Sequence, residues 1–195
     1  MNRRQKGRRM LDIVDTEIRD VKVLRPRRFG DNRGLFFESY NAERWRGAGI
    51  DITFVQDNDS YSKDKGTVRG LHFQIPPFAQ SKLVRVIRGA VLDIVVDIRK
   101  GSPTYGRHVA VELSAEGGDQ LFVPRGFAHG FCTLEPETYV IYKVDAHYSP
   151  AHDAGIQWND PALGIDWPVK PEAAILSAKD LVHPPFADIV SPFEF

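Results

Sequence analysis

A chain of 195 residues with 42% hydrophobic and 11% aromatic content is long enough to bury a core, and it reads as one main domain over residues 20–195. Lys plus Arg and Asp plus Glu each number 26, so the net charge is zero and no global field draws the chain to nucleic acid or anionic lipid. The single cysteine, Cys132, excludes an internal disulfide and a cysteine metal cluster, and its apolar surroundings read as packing.

Residues 1–19 carry Arg3, Arg4, Lys6, Arg8 and Arg9 without the apolar stretch of a secretory signal, and no run of the chain approaches membrane-spanning length. They read as a basic, partly flexible leader, and the chain reads as cytoplasmic. Next, residues 29–38 place Phe29, Arg33 and Glu38 close together; Arg33 suits a bidentate grip on phosphate or an ordinary surface ion pair. Residues 36–40 and 53–61 are candidate strands, and 42–49 between them predicts one short helix ended by Gly47 or Gly49. Gln56 and Asn58 offer amides that read base or sugar hydroxyls, or simply close a polar strand end.

From residue 68 onward the rhythm is all-β: runs at 68–74, 83–87, 91–98, 108–113, 120–123, 128–134 and 138–144, punctuated by Gly, Pro, Asp and Ser. The runs 83–87 and 91–98, separated by Arg88-Gly89, predict two strands joined by a tight glycine turn. The even spacing predicts a double-sheet sandwich or jelly roll around a pocket. After Tyr148 seven prolines are scattered among Trp158, Ile165, Trp167, Ile175 and Leu176, which predicts an extended tail wrapped on the barrel with short helices.

Strand alternation sorts the polar groups. In Arg69-Gly70-Leu71-His72-Phe73-Gln74, residues 69, 71 and 73 point one way and His72 and Gln74 the other. A histidine suits proton transfer near neutral pH, although a lone strand histidine is more often structural. Lys82 shares a face with Val84; pointing inward it would stabilise a developing enolate, and pointing outward it would only reach solvent. Tyr142 shares a face with Val140, where it is either a packing residue or a phenolic acid facing His72. His129 lies in an apolar, Gly-flanked run. The His-x-His pair and following Glu of metal-binding barrels are missing, since position 74 is Gln, so no metal is expected.

The order of these segments resembles the dTDP-4-dehydrorhamnose 3,5-epimerase family. The likeness runs over residues 20–180, through Phe29-Gly30-Asp31-Asn32-Arg33-Gly34, Gln56-Asp57-Asn58, Arg69-Gly70-Leu71-His72-Phe73-Gln74, Lys82-Leu83-Val84-Arg85, Gly101-Ser102-Pro103-Thr104, Pro124-Arg125-Gly126-Phe127-Ala128-His129-Gly130-Phe131, Tyr142-Lys143, Trp158-Asn159-Asp160-Pro161 and Leu176-Ser177-Ala178-Lys179-Asp180. Phe73 departs from the family's usual Tyr, and the basic leader is extra.

The resemblance implies a homodimeric cupin-type jelly-roll barrel that acts on a dTDP-linked 4-keto-6-deoxy sugar without cofactor, metal, nucleic acid or membrane. It implies His72 as base in a dyad with Asp180, Lys82 as the enolate-stabilising cation and Tyr142 as the acid. Phe29, Arg33, Glu38, Gln56, Asn58 and Arg69 would bind the nucleotide diphosphate and sugar, with His129 and Tyr148 in the pocket wall. The segment 29–38 would come from the partner subunit by strand exchange. Relatives on this scaffold that invert one carbon or move the carbonyl, and a silent sugar-binding cupin, remain as alternatives.

Overall fold

Short β-branched and aromatic runs bounded by turn residues are too brief for stable helices and gain more by pairing across a pleated sheet. In the computed structural model, which describes residues 9–195, they do so as β1 (Leu11–Asp15), β2 (Lys22–Pro26), β3 (Arg28–Asp31), β4 (Gly34–Phe37), β5 (Gln56–Ser62), β6 (Val68–Gln74), β7 (Lys82–Arg88), β8 (Ala90–Asp97), β9 (His108–Ser114), β10 (Gln120–Val123), β11 (Phe127–Thr133), β12 (Thr138–Val144) and β13 (Asp153–Gly155). One sheet has the order β1-β2-β10-β7-β12-β5, the other β13-β6-β11-β8-β9, and β3 and β4 form a separate hairpin. This is the all-β double-sheet jelly roll that the strand rhythm predicts, of the cupin type that the resemblance implies.

Val84, Val86, Leu121, Val123 and Val140 of the first sheet meet Val91, Val95, Val109, Leu113, Phe127 and Phe131 of the second to form the central core. Both outer faces are covered as well. Helix α1 (Ala42–Gly47), capped by the Asn41 side chain, packs Trp45 against Leu83 and Phe122 of the first sheet. The tail lays Ile156, Leu163, Phe186 and Phe193 over Leu71, Phe73, Ile94 and Val96 of the second, and it contains four 3-10 turns, as its prolines suggest. A sheet buried on both sides explains why β8 is apolar at most positions and buried at all but one.

The two strands expected on either side of Gly89 form, and they enter different sheets: β7 pairs with β10 and β12, and β8 with β9 and β11, so the turn carries the chain from one sheet to the other. A tight glycine turn fixes a change of direction, not the identity of the hydrogen-bonding partner. The leader expected over residues 1–19 ends sooner than position 19. Leu11–Asp15 pair in register with Lys22–Pro26, and Ile18 is buried in the core; residues 1–8 lie outside the described residues.

The pairing of β6 with β11 is irregular. His72 lies opposite His129 but Arg69 lies opposite Phe131, so three steps on β6 match two on β11. An extra residue of this kind is a bulge, and it breaks the two-residue alternation. The irregularity sits where two backbones touch: a Cβ on Gly70, whose φ is +135°, would lie 2.5 Å from the Cα of Gly130. Gly70→Ala is expected to lower the unfolding free energy by about 3 kcal/mol, through overpacking and an unfavourable φ together. Urea denaturation checks this, and an unchanged midpoint would mean that the strands separate at no cost.

Candidate active site

Between the two sheets lies a cavity of about 330 Å³. The second sheet lines it with Arg69, His72 and Gln74 from β6 and His129 from β11. The first sheet contributes Lys82 from β7 and Tyr142 from β12, and the tail and its approach add Tyr148, Asp153 and Asp180. Lys82 and Tyr142 are neighbours, with the ammonium 5.9 Å from the ring centroid. Arg69 faces the cavity together with His72, not away from it as strict alternation predicts, because the bulge falls between them.

His72 Nε2 donates to Asp180 Oδ1 at 2.5 Å, leaving Nδ1 as the ring nitrogen without that partner. Asp180 is only 3% exposed, and its Oδ2 accepts a hydrogen bond from Ser177 Oγ at 2.7 Å. Burial alone would raise the Asp180 pKa, but the hydrogen bonds from His72 and Ser177 outweigh it and hold the carboxyl below its ordinary range. Burial pushes the Lys82 ammonium down to about 8, against the pull of Asp93 and Asp153. Burial also raises the Tyr142 phenol, so it stays protonated at neutral pH.

His129 is buried and its Nε2 donates to Asp93 Oδ1 at 2.8 Å. Desolvation lowers its pKa, with Lys82 and His72 adding to the effect and Asp93 opposing it. The sequence reading missed Asp93, although a carboxylate amid Val91-Leu92-Asp93-Ile94-Val95 in a doubly buried strand is itself a signal. It also missed Ser177, Asp153 and His183. Asp153 accepts from the Tyr148 hydroxyl at 2.9 Å and pairs with Lys179, and the His183 ring packs edge-on against His72 at 5.4 Å between centroids.

Other expected site residues lie apart from the cavity within this chain. Phe29 and Arg33 line a shallow depression on the β3–β4 hairpin, where Arg33 is 84% exposed and pairs with Asp31. Glu38 pairs with Arg44 at 2.6 Å. Gln56 and Asn58, on the strand beside Tyr142, are hydrogen-bonded to each other at 2.8 Å, and Gln56 Oε1 also accepts from the Tyr148 backbone.

A sequence model of the family dTDP-4-dehydrorhamnose 3,5-epimerase matches residues 15–188. The dTDP-4-dehydrorhamnose 3,5-epimerase of Sinorhizobium fredii is 53% identical over 178 residues, 91% of either chain. The crystal structure of dTDP-4-dehydrorhamnose 3,5-epimerase from Bacillus anthracis, with TDP and PPi bound, is similar at 52% identity and a TM-score of 0.88, covering 90% of this chain and 99% of that one. The dTDP-6-deoxy-D-glucose-3,5-epimerase of Legionella pneumophila, in complex with dTDP-4-keto-L-rhamnose, gives 42% identity and a TM-score of 0.90 over 95% and 98%. A match along nearly the whole domain, joined to identity at about half of all positions, means that the chain belongs to the dTDP-4-dehydrorhamnose 3,5-epimerase family and is an isomerase.

Proposed function

We propose that this chain inverts C3 and C5 of dTDP-4-keto-6-deoxy-D-glucose to give dTDP-4-keto-L-rhamnose, with His72 as base, Lys82 as the cation on the C4 oxygen and Tyr142 as acid. The observation that carries the reading is that His72 and Tyr142 reach one cavity from opposite sheets. A sugar ring held between the sheets presents one face to each. A proton taken by His72 and returned by Tyr142 leaves the carbon inverted.

Hydrogens at C3 and C5 are acidic because both carbons flank the C4 ketone, and their removal becomes feasible when the oxyanion is stabilised as it forms. The Lys82 ammonium supplies that charge in a desolvated setting, where it counts for more than in water. His72 accepts the proton on Nδ1, while Asp180 fixes the tautomer and balances the imidazolium. These side chains provide base, cation and acid, so the reading calls for no cofactor. Arg69, His129 and Tyr148 line the same cavity; Arg69 is assigned to the nucleotide diphosphate and sugar, and His129 and Tyr148 to the pocket wall.

The nucleotide contacts are assigned to Phe29, Arg33, Glu38, Gln56 and Asn58. The hairpin part of this set would act in a second copy of the chain. Its apolar residues Leu35 and Phe36 are exposed, which supports a homodimer closed by exchange of β3–β4. Among the described residues no helix is long and apolar enough to cross a membrane, and a soluble nucleotide sugar as substrate supports a cytoplasmic setting without nucleic-acid or membrane partners.

Two measurements check the reading. In deuterium oxide, proton NMR of dTDP-4-keto-6-deoxy-D-glucose with the protein should show loss of the C3 and C5 signals, slowed about 100-fold or more in His72→Ala. Loss at one carbon alone would make it a single-site epimerase, and binding without exchange would make it a sugar-binding barrel. The rate should also fall as pH rises through about 8, where Lys82 loses its charge. Lys82→Met should abolish that limb and slow the reaction roughly 100- to 1,000-fold; a wild-type profile flat to pH 10 would exclude Lys82 as the required cation.

A further inference from the structure

Behind the cavity, on the side of His72 that bonds Asp180, stands an imidazole with no assigned task. The His183 side chain is 9% exposed, and its Nε2 is buried without a hydrogen-bond partner. That atom lies 3.9 Å from Asp180 Oδ1, the oxygen that also accepts from His72. Its place is built into the backbone. Gly155 on β13 pairs with His72, and a Cβ there would fall 2.5 Å from both Cε1 and Nε2 of His183.

We propose that His72, Asp180 and His183 form a binding site for a divalent transition-metal ion of the zinc type, and that its occupation silences the base. Their ligand atoms all lie within 4.8 Å of one another. Two imidazoles and one carboxylate are a donor set that such ions prefer, whereas magnesium prefers oxygen ligands and water. In tetrahedral coordination, ligand atoms at zinc bond lengths stand about 3.3 Å apart. The separations of 2.5 and 3.9 Å to Asp180 Oδ1 straddle that value, so small movements of the two rings admit the ion. Ser177 Oγ, held on the other carboxylate oxygen, keeps Asp180 oriented while this happens.

Binding changes the tautomer of His72: the hydrogen carried on Nε2 toward Asp180 moves to Nδ1, with no net proton released, and the Nε2 lone pair goes to the ion. Nδ1 then carries a hydrogen and has no lone pair to accept the sugar's proton, and Asp180, bound to the ion, no longer balances an imidazolium. His183 is not among the residues lining the cavity, so the ion sits behind His72 and leaves the sugar's place open. Inhibition would therefore lower kcat and leave KM nearly unchanged. The metal site stands on geometry alone; the silencing rests on the proposed role of His72.

The test uses the full-length protein, stripped with EDTA and titrated with Co2+ while the visible d–d absorption is followed. One equivalent per chain should give four-coordinate bands, Zn2+ should displace them, and Mg2+ should not. His183→Gln and His183→Ala, each checked for a wild-type thermal transition, should weaken binding at least roughly tenfold. Zn2+ should suppress C3 and C5 exchange in the wild type, reversibly with EDTA, and lose that effect in His183→Gln. Absence of the bands, or equal binding by both folded variants, would overturn the site. Bands that depend on His183 with exchange untouched by Zn2+ would uphold the site and overturn the silencing. A metal-free chain that never exchanges would count against the base role of His72, while the Co2+ bands still decide the metal site.

Discussion

The contact between the backbones of β6 and β11 at Gly70 and Gly130 is the constraint on which the site depends. No side chain fits between the strands there, so they approach until the Cα of one would touch a Cβ of the other. The accompanying bulge shifts the register. That shift turns Arg69 into the cavity beside His72 and sets His72 opposite His129 on one side and Gly155 on the other. The tail, anchored over the outer face of the same sheet by Ile156, Leu163 and Phe186, then delivers Asp180 to His72 Nε2. A position more than a hundred residues away in the chain is thus brought into hydrogen-bonding distance by apolar packing.

Electrostatics complete what the packing begins. The cavity gathers two lysines, two histidines, two phenols and several carboxylates, and the environment separates their proton affinities. Asp180 is held ionised by its two hydrogen-bond donors, and Tyr142 is held protonated by burial. Lys82 remains mostly charged at neutral pH, yet close enough to its titration for its environment to matter. The proposed base comes from one sheet, and the proposed cation and acid from the other. The jelly roll supplies this opposition without further devices, because its two sheets face each other across the cavity.

Much of this was legible in the sequence because the local signals agree with the tertiary outcome. Alternation placed Lys82 with Val84 and Tyr142 with Val140, and those valines are indeed core residues. The runs 68–74, 120–123 and 138–144 became strands with those bounds. Features set by long-range contact were not legible. Alternation assigned Arg69 to the wrong face because a bulge belongs to a pair of strands and not to one. The Arg88-Gly89 turn gave no hint that its strands enter different sheets. Asp180 entered only through family resemblance, since no local pattern tells where a proline-broken tail will dock. Phe29, Arg33 and Glu38 sit on an exposed hairpin in the single chain, and a chain read alone does not supply the surface against which they would act.

The central claim is that proton removal and proton return are separate acts performed from opposite sheets. Replacing Tyr142 with Phe and following both deuterium content and configuration at C3 and C5 in deuterium oxide separates the two directly. The account predicts that Tyr142→Phe still washes deuterium into the substrate through His72 and Lys82, while inversion falls by at least about 100-fold. Inversion at the wild-type rate in that variant would mean that the returning proton does not come from Tyr142, and the two-sided mechanism would have to be abandoned.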